Sequence, residues 1–285
     1  MAINWDSVIE AQSKEPLKPL FALVLGPSGG GKSASFGTFG VRTLVLRTTT
    51  EHHGGLSAKT VSKKYGFDGQ VVDMDFTVRN KDGELDADAT LANLRSILRD
   101  PGVAKTFGAI AVDSITDLQT IIHKSEAWKQ ACLTDKGKHN KFAEADADLG
   151  IIESILNDYL MPLNHKGLHI ALSCAAIVSS MGDQGEDLKA SPNLMGFKVA
   201  ESINRFFPDC FFVARVTEED GSTAHKFLFK SNIKKDGKDA AGRVLKTTNF
   251  SPRVSGFDCD ALPEMAENNF SRVIAGRQKR FEEGK

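Results

Sequence analysis

The apolar run Leu20-Phe-Ala-Leu-Val-Leu25 passes without a break into Gly26-Pro27-Ser28-Gly29-Gly30-Gly31-Lys32-Ser33, and this junction constrains the fold more than any other stretch of the chain. Consecutive apolar residues with no polar alternation describe a strand buried on both faces, the habit of parallel strands in α/β proteins. The glycines then allow a tight turn in which successive backbone N–H groups converge on an anion, at the mouth of a short helix over Ser33 to Phe39. Gly26, Gly31, Lys32 and Ser33 satisfy the spacing G-x-x-x-x-G-K-[ST] in the strand–turn–helix context that this phosphate-binding loop requires.

The chemistry of such a loop assigns the residues. Gly26, Pro27, Ser28, Gly29, Gly30, Gly31, Lys32, Ser33 and Ala34 are expected to cradle the phosphates of ATP. Lys32 neutralises β and γ oxygens, and the Ser33 hydroxyl enters the Mg²⁺ shell.

A metal-associated acid is needed at the end of a neighbouring strand. Phe107-Gly-Ala-Ile-Ala-Val-Asp113 supplies it, with Asp113 holding Mg²⁺ through water; the alternative is that Asp113 caps a helix starting at Ile115. Hydrolysis further needs a group that orients or deprotonates water. Glu51, beside His52 and His53 and just beyond the run Val41 to Leu46, reads either as that group or as part of a polar turn.

The other elements follow the same alternation of strand and helix. Helices are expected at Leu56 to Tyr65, Ala89 to Arg99, Ile115 to Cys132 and Asp146 to Leu163, and strands at Gly69 to Phe76 and His169 to Cys174. A long polar loop is expected from Ser179 to Met195, later strands at Cys210 to Val216 and Lys226 to Lys230, and a charged surface helix or tail from Asn269. Ser173 and Cys174 read either as γ-phosphate sensors or as small residues filling a strand end. Lys230, Lys234, Lys235, Lys238 and Arg243 form the densest basic cluster, which reads as a cationic reach toward a neighbouring subunit's ATP, as contacts to DNA phosphates, or as a solvated charged face.

Composition narrows the rest. With 36 basic against 37 acidic side chains, the whole molecule has no electrostatic reason to coat nucleic acid or an anionic membrane, so any such contact must come from a local patch. No apolar run approaches the roughly 20 residues needed to span a bilayer, and Met1 to Gln12 lacks the pattern of a secretion signal, so a cytoplasmic protein is expected. The four cysteines are widely spaced, which favours reduced thiols over a disulfide frame or zinc site. The expected organisation is an extension over residues 1–19, a core over 20–250 and a C-terminal extension over 251–285.

With these pieces in order, the chain resembles the RecA-type ATPases, in particular the short phage-associated RecA-core proteins grouped with single-strand annealing and recombination. The resemblance spans roughly Leu20 to Lys246. Leu46 to His52, ending Thr-Glu-His, is similar to the segment bearing the catalytic glutamate, which maps to Glu51, and Ala111 to Ser114 is similar to the Walker B strand, which maps its aspartate to Asp113. At Ile170 to Cys174 the family's polar sensor is missing, and the loop where RecA proteins carry DNA contacts holds Asp183, Glu186 and Asp187 against Lys189. Phe227 to Asn232 resembles the strand whose lysines reach a neighbour's nucleotide. The resemblance implies a RecA-like α/β core with a mainly parallel sheet flanked by helices, hydrolysis of Mg·ATP with Lys32, Glu51 and Asp113 as catalytic residues, and action on DNA. It also implies a homo-oligomeric ring or filament, single-stranded DNA as a partner and a host cytoplasm, with Trp5, Val8 and Ile9 as a docking anchor. Two rivals stay open: a small-molecule phosphotransferase, and an assembly protein that uses ATP as a structural switch without DNA.

Overall fold

The structure, a computed structural model, describes residues 17–48, 52–181, 187–218, 220–228, 244–247, 253–255 and 265–283. The chain runs β1 (Phe21–Gly26), α1 (Lys32–Ser35) with a 3₁₀ turn (Phe36–Thr38), β2 (Thr43–Arg47), α2 (His52–Lys64), β3 (Val71–Asp75), α3 (Ala87–Arg99), α4 (Pro101–Thr106) and β4 (Ala109–Asp113). Next come α5 (Ile115–Lys124), α6 (Glu126–Ala131), α7 (Glu144–Ile155), α8 (Met161–His165), β5 (His169–Met181), β6 (Asp187–Pro192) and α9 (Phe197–Ser202). The last elements are β7 (Asp209–Thr217), β8 (Thr223–Leu228), β9 (Val244–Thr247), β10 (Met265–Glu267) and α10 (Phe270–Glu282).

The sheet order is β10-β8-β7-β1-β5-β4-β2-β3. From β3 to β7 every pairing is parallel, and the edge pairs β7–β8 and β8–β10 are antiparallel. One strand, β5, therefore lies between the loop-bearing β1 and the acid-bearing β4. The expected α/β class, a mainly parallel sheet flanked by helices, is the observed one.

The apolar run of β1 explains itself by period two. Phe21, Leu23 and Leu25 belong to one buried cluster with Leu94, Leu118 and Ile152 from α3, α5 and α7. Ala22 and Val24 belong to a second cluster with Phe36, Ala58 and Phe270 from the 3₁₀ turn, α2 and α10. Both faces of the strand are thus covered by helices, and no position along it tolerates a polar side chain.

Three sequence expectations are corrected. The helix foreseen over Ile115 to Cys132 breaks at Ser125, whose hydroxyl donates to the Ile122 carbonyl (2.7 Å) and accepts from the Trp128 amide (3.3 Å). A serine that satisfies backbone groups in this way ends one helix and caps the next. The strand at His169 continues to Met181 and pairs with β6 as an antiparallel hairpin, where a loop from Ser179 to Met195 was expected. A ladder draws on backbone groups, so a polar stretch can form it when a partner strand is in reach, which composition does not show. The charged C-terminal helix is not merely superficial: Phe270 is fully buried and stacks on Phe39 at a centroid distance of 4.4 Å.

Candidate functional site

The phosphate loop, Asp113 and Ala175 of β5 meet at the carboxyl edge of the parallel strands, where open α/β folds place their ligands. They line a cavity of about 380 Å³, with Ser28, Gly29, Gly31, Lys32, Ser33 and Ala34 from the loop, Gly54 and Ser57 from α2, Ser114 and His225.

Internal hydrogen bonds hold the loop in shape. The Gly30 amide donates to the Pro27 carbonyl (3.1 Å), and Lys32 Nζ donates to the carbonyls of Gly26 (2.9 Å) and Pro27 (3.0 Å), which keeps the ammonium over the turn. Gly31 is glycine for two reasons. Its φ of 95° lies in the left-handed region, and a Cβ there would meet the His225 ring at 2.9 Å. His225 Nε2 donates to the Gly29 carbonyl (3.0 Å), and Asn268 Nδ2 donates to the Gly31 carbonyl (2.9 Å). The outer wall of the loop is therefore supplied by β8 and by the residue after β10, neither of which carries a motif.

Asp113 sits at the end of β4, 1% exposed. Its Oδ1 accepts from the Ser173 hydroxyl, while its Oδ2 meets no donor in good hydrogen-bonding geometry and lies beside the Ser33 hydroxyl, close enough to feel its dipole. Burial raises its pKa, against the opposing pull of the Ser173 and Ser33 hydroxyls and the Lys32 charge. The helix-cap alternative for Asp113 is answered here, because the N-cap of α5 is Ser114, which accepts from the Asp117 amide (3.2 Å) and donates to its carboxylate (2.8 Å).

A buried carboxylate oxygen without a donor, beside the Ser33 hydroxyl, suits a hydrated divalent cation: hard oxygen donors, few in number, with room for water. Among the described residues no group of three or more His, Cys, Asp or Glu forms a metal-binding cluster of protein ligands alone. The same donor set fits Mg²⁺ carried by a nucleotide, which keeps several waters and takes one or two protein ligands plus phosphate oxygens.

Ser173 therefore braces the acid. Cys174 is fully buried, and burial pushes its thiol up to about 12, so it is a neutral group packed near Thr116 Oγ1 (3.7 Å). Cys132, Cys174 and Cys210 are buried and form no disulfide among the described residues.

Glu51 lies outside the described residues. Its described neighbours bracket the site: the Thr48 amide donates to the Asp113 carbonyl (3.2 Å), and Gly54 lines the cavity. Lys230, Lys234, Lys235, Lys238 and Arg243 also lie outside the described residues, as do Asp183, Glu186, Trp5, Val8 and Ile9.

Known proteins add little to this geometry. No protein-family model matches the chain, and no curated protein matches it. Among solved structures, the chain is similar to the flagellar accessory protein FlaH from Methanocaldococcus jannaschii over 80% of this chain and 84% of that one, at 10% identity and a TM-score of 0.35. At that score the likeness supports no inference about this chain.

Ser173, Gly54, Ser57, Ala175, His225 and Asn268 are at the site although motif reasoning missed them or left them undecided. Only Ser173 had a signal, its place at the end of a core strand. No helix among the described residues is long and apolar enough to cross a membrane.

Proposed function

We propose that this chain is a RecA-like P-loop ATPase that binds Mg·ATP between the loop Gly26–Ala34 and Asp113. The observation that carries the proposal is the unpartnered, buried Asp113 Oδ2 on the same cavity as Ser33 and Lys32. The amides of the loop receive the phosphates, and Lys32 offsets charge on the oxygens of the transferred group. Ser33 and Asp113 hold the metal, with Ser173 orienting the carboxylate. Magnesium, when bound, supplies Lewis-acid stabilisation of the developing charge. Glu51 orients or deprotonates the attacking water, a role supported by its place between Thr48 and α2.

The output we propose is annealing or remodelling of DNA in phage-type recombination, replication or repair, by a homo-oligomeric ring or filament in the cytoplasm. Support comes from the sequence resemblance and from the basic run Lys230, Lys234, Lys235 and Arg243, which would contact DNA phosphates or a neighbour's nucleotide.

Two measurements test this. ATP turnover should disappear in Lys32→Ala and fall sharply in Glu51→Gln; a Glu51→Gln protein turning over at the wild-type rate removes Glu51 from the mechanism. Single-stranded DNA binding with ATP should weaken steeply as salt rises. Absence of DNA binding at every salt concentration would leave an ATP-switched assembly protein.

A further inference from the structure

The first turn of α2 contains two consecutive glycines, Gly54 and Gly55, and neither has room for a side chain. Glycine gives up more backbone entropy than alanine on entering a helix, so a pair in one turn implies close packing or function nearby. A methyl group on Gly54 would collide with Asp113 Oδ2 and come within 3.3 Å of Ser33 Oγ. A methyl group on Gly55 would collide with the Asp73 carboxylate instead. The same turn is thus seated on two acids with different circumstances. Asp73 is already engaged by Arg47 Nε (2.8 Å), whereas Asp113 Oδ2 is buried and unpartnered.

We propose that Gly54 is a positioning residue for the nucleotide's divalent cation. Its bare Cα preserves the space beside Ser33 Oγ and Asp113 Oδ2, so that α2 closes the metal pocket without filling it. The proposal rests on the nucleotide-binding role given above and adds to it a residue outside both motifs.

The test is calorimetric binding of a non-hydrolysable ATP analogue to the full chain, once with Mg²⁺ and once with EDTA. In the wild type Mg²⁺ strengthens binding. Gly54→Ala should lose at least about tenfold of that increment, read as the ratio of its affinities in Mg²⁺ and in EDTA. Gly55→Ala disturbs the same helical turn through Asp73 and should keep the increment. The proposal is overturned if Gly54→Ala retains the full Mg²⁺ effect, or if Gly55→Ala loses as much of it. If the wild type binds no nucleotide in either buffer, the nucleotide role itself fails and Gly54 loses its proposed role with it. Should Gly54→Ala not fold, the pair Gly54→Ala/Asp113→Ala must fold with the melting temperature of Asp113→Ala alone, because the oxygen that the methyl strikes is gone. A double variant that also fails to fold overturns the proposal.

Discussion

Replacing Asp113 by asparagine separates what this residue does for the fold from what it does for the ligand. Its carboxylate is 1% exposed, one oxygen accepts from Ser173, and the other meets no donor in good hydrogen-bonding geometry. A buried charged oxygen without a donor costs about 1–3 kcal/mol, more than a neutral amide of the same shape. Asp113→Asn places an amide in the same buried position, so it should stabilise the nucleotide-free protein by only part of that amount, about 1 kcal/mol. For a domain of this size the gain corresponds to a rise in Tm of roughly 2–4 °C. The pH dependence has a definite sign. A carboxyl whose pKa is raised in the folded state binds its proton more tightly there than in the unfolded chain. Wild-type stability from this group hence increases as pH falls through the raised value toward 3.8, and the variant lacks the increase. Ligand should reverse the order. A Mg·nucleotide at about 100 times its Kd raises wild-type stability by about 2.7 kcal/mol, and the variant should lose the Mg²⁺-dependent part of that gain. Differential scanning calorimetry in EDTA and in Mg·nucleotide measures both effects. A nucleotide-free variant melting below wild type, or one with an undiminished Mg²⁺ effect, would refute the assignment of Oδ2 as an oxygen kept for a cation.

Other outcomes follow from the same geometry. Ser173→Ala removes the donor to Asp113 Oδ1 and should weaken Mg²⁺-dependent nucleotide binding by about ten- to a hundredfold, since a hydrogen bond to a charged group is worth about 1.5–3 kcal/mol; binding in EDTA should not change. Burial, aided by the Arg277 charge, pushes His169 down from 6.5 to about 4, and its Nδ1 accepts from the Leu20 amide (3.1 Å). The neutral ring's stability contribution is complete above 6.5 and is lost as pH falls toward 4. Urea unfolding should accordingly show about 2 kcal/mol less stability at pH 5 than at pH 8, with a shallower slope in His169→Asn. Phe270→Ala should cost about 3–5 kcal/mol in chemical denaturation, because the ring is fully buried against Phe39, Phe211 and Phe227; a loss under 1 kcal/mol would show that α10 is dispensable to the core.

How much of this was legible in the chain depends on the range of the interaction that carries it. The run from Leu20 to Ser33 specified strand, turn and helix because its information is local: apolar period, glycine freedom and a lysine at fixed spacing act within a dozen residues. Asp113 was legible for the same reason, as a charge ending an apolar strand. The hairpin of β5 and β6 was not, since backbone pairing leaves little mark on a polar sequence. The partial burial of α10 was hidden by its charged face, while Phe270 stacks on Phe39 and meets Phe211 edge to face, both more than fifty positions away.

The sequence by itself determined the α/β class, the strand–glycine turn–helix junction at Gly26 to Ser33 and the acid that ends β4, each encoded in one continuous segment. Only the tertiary structure decided that Ser173 serves Asp113 from across a parallel pair, and that His225 and Asn268 brace a loop 196 and 237 residues earlier in the chain. It alone decided, too, that Gly54 abuts the acid. The physical reason is that such contacts depend on strand order and on atoms excluded from shared space, and neither leaves a periodic or compositional trace along the chain.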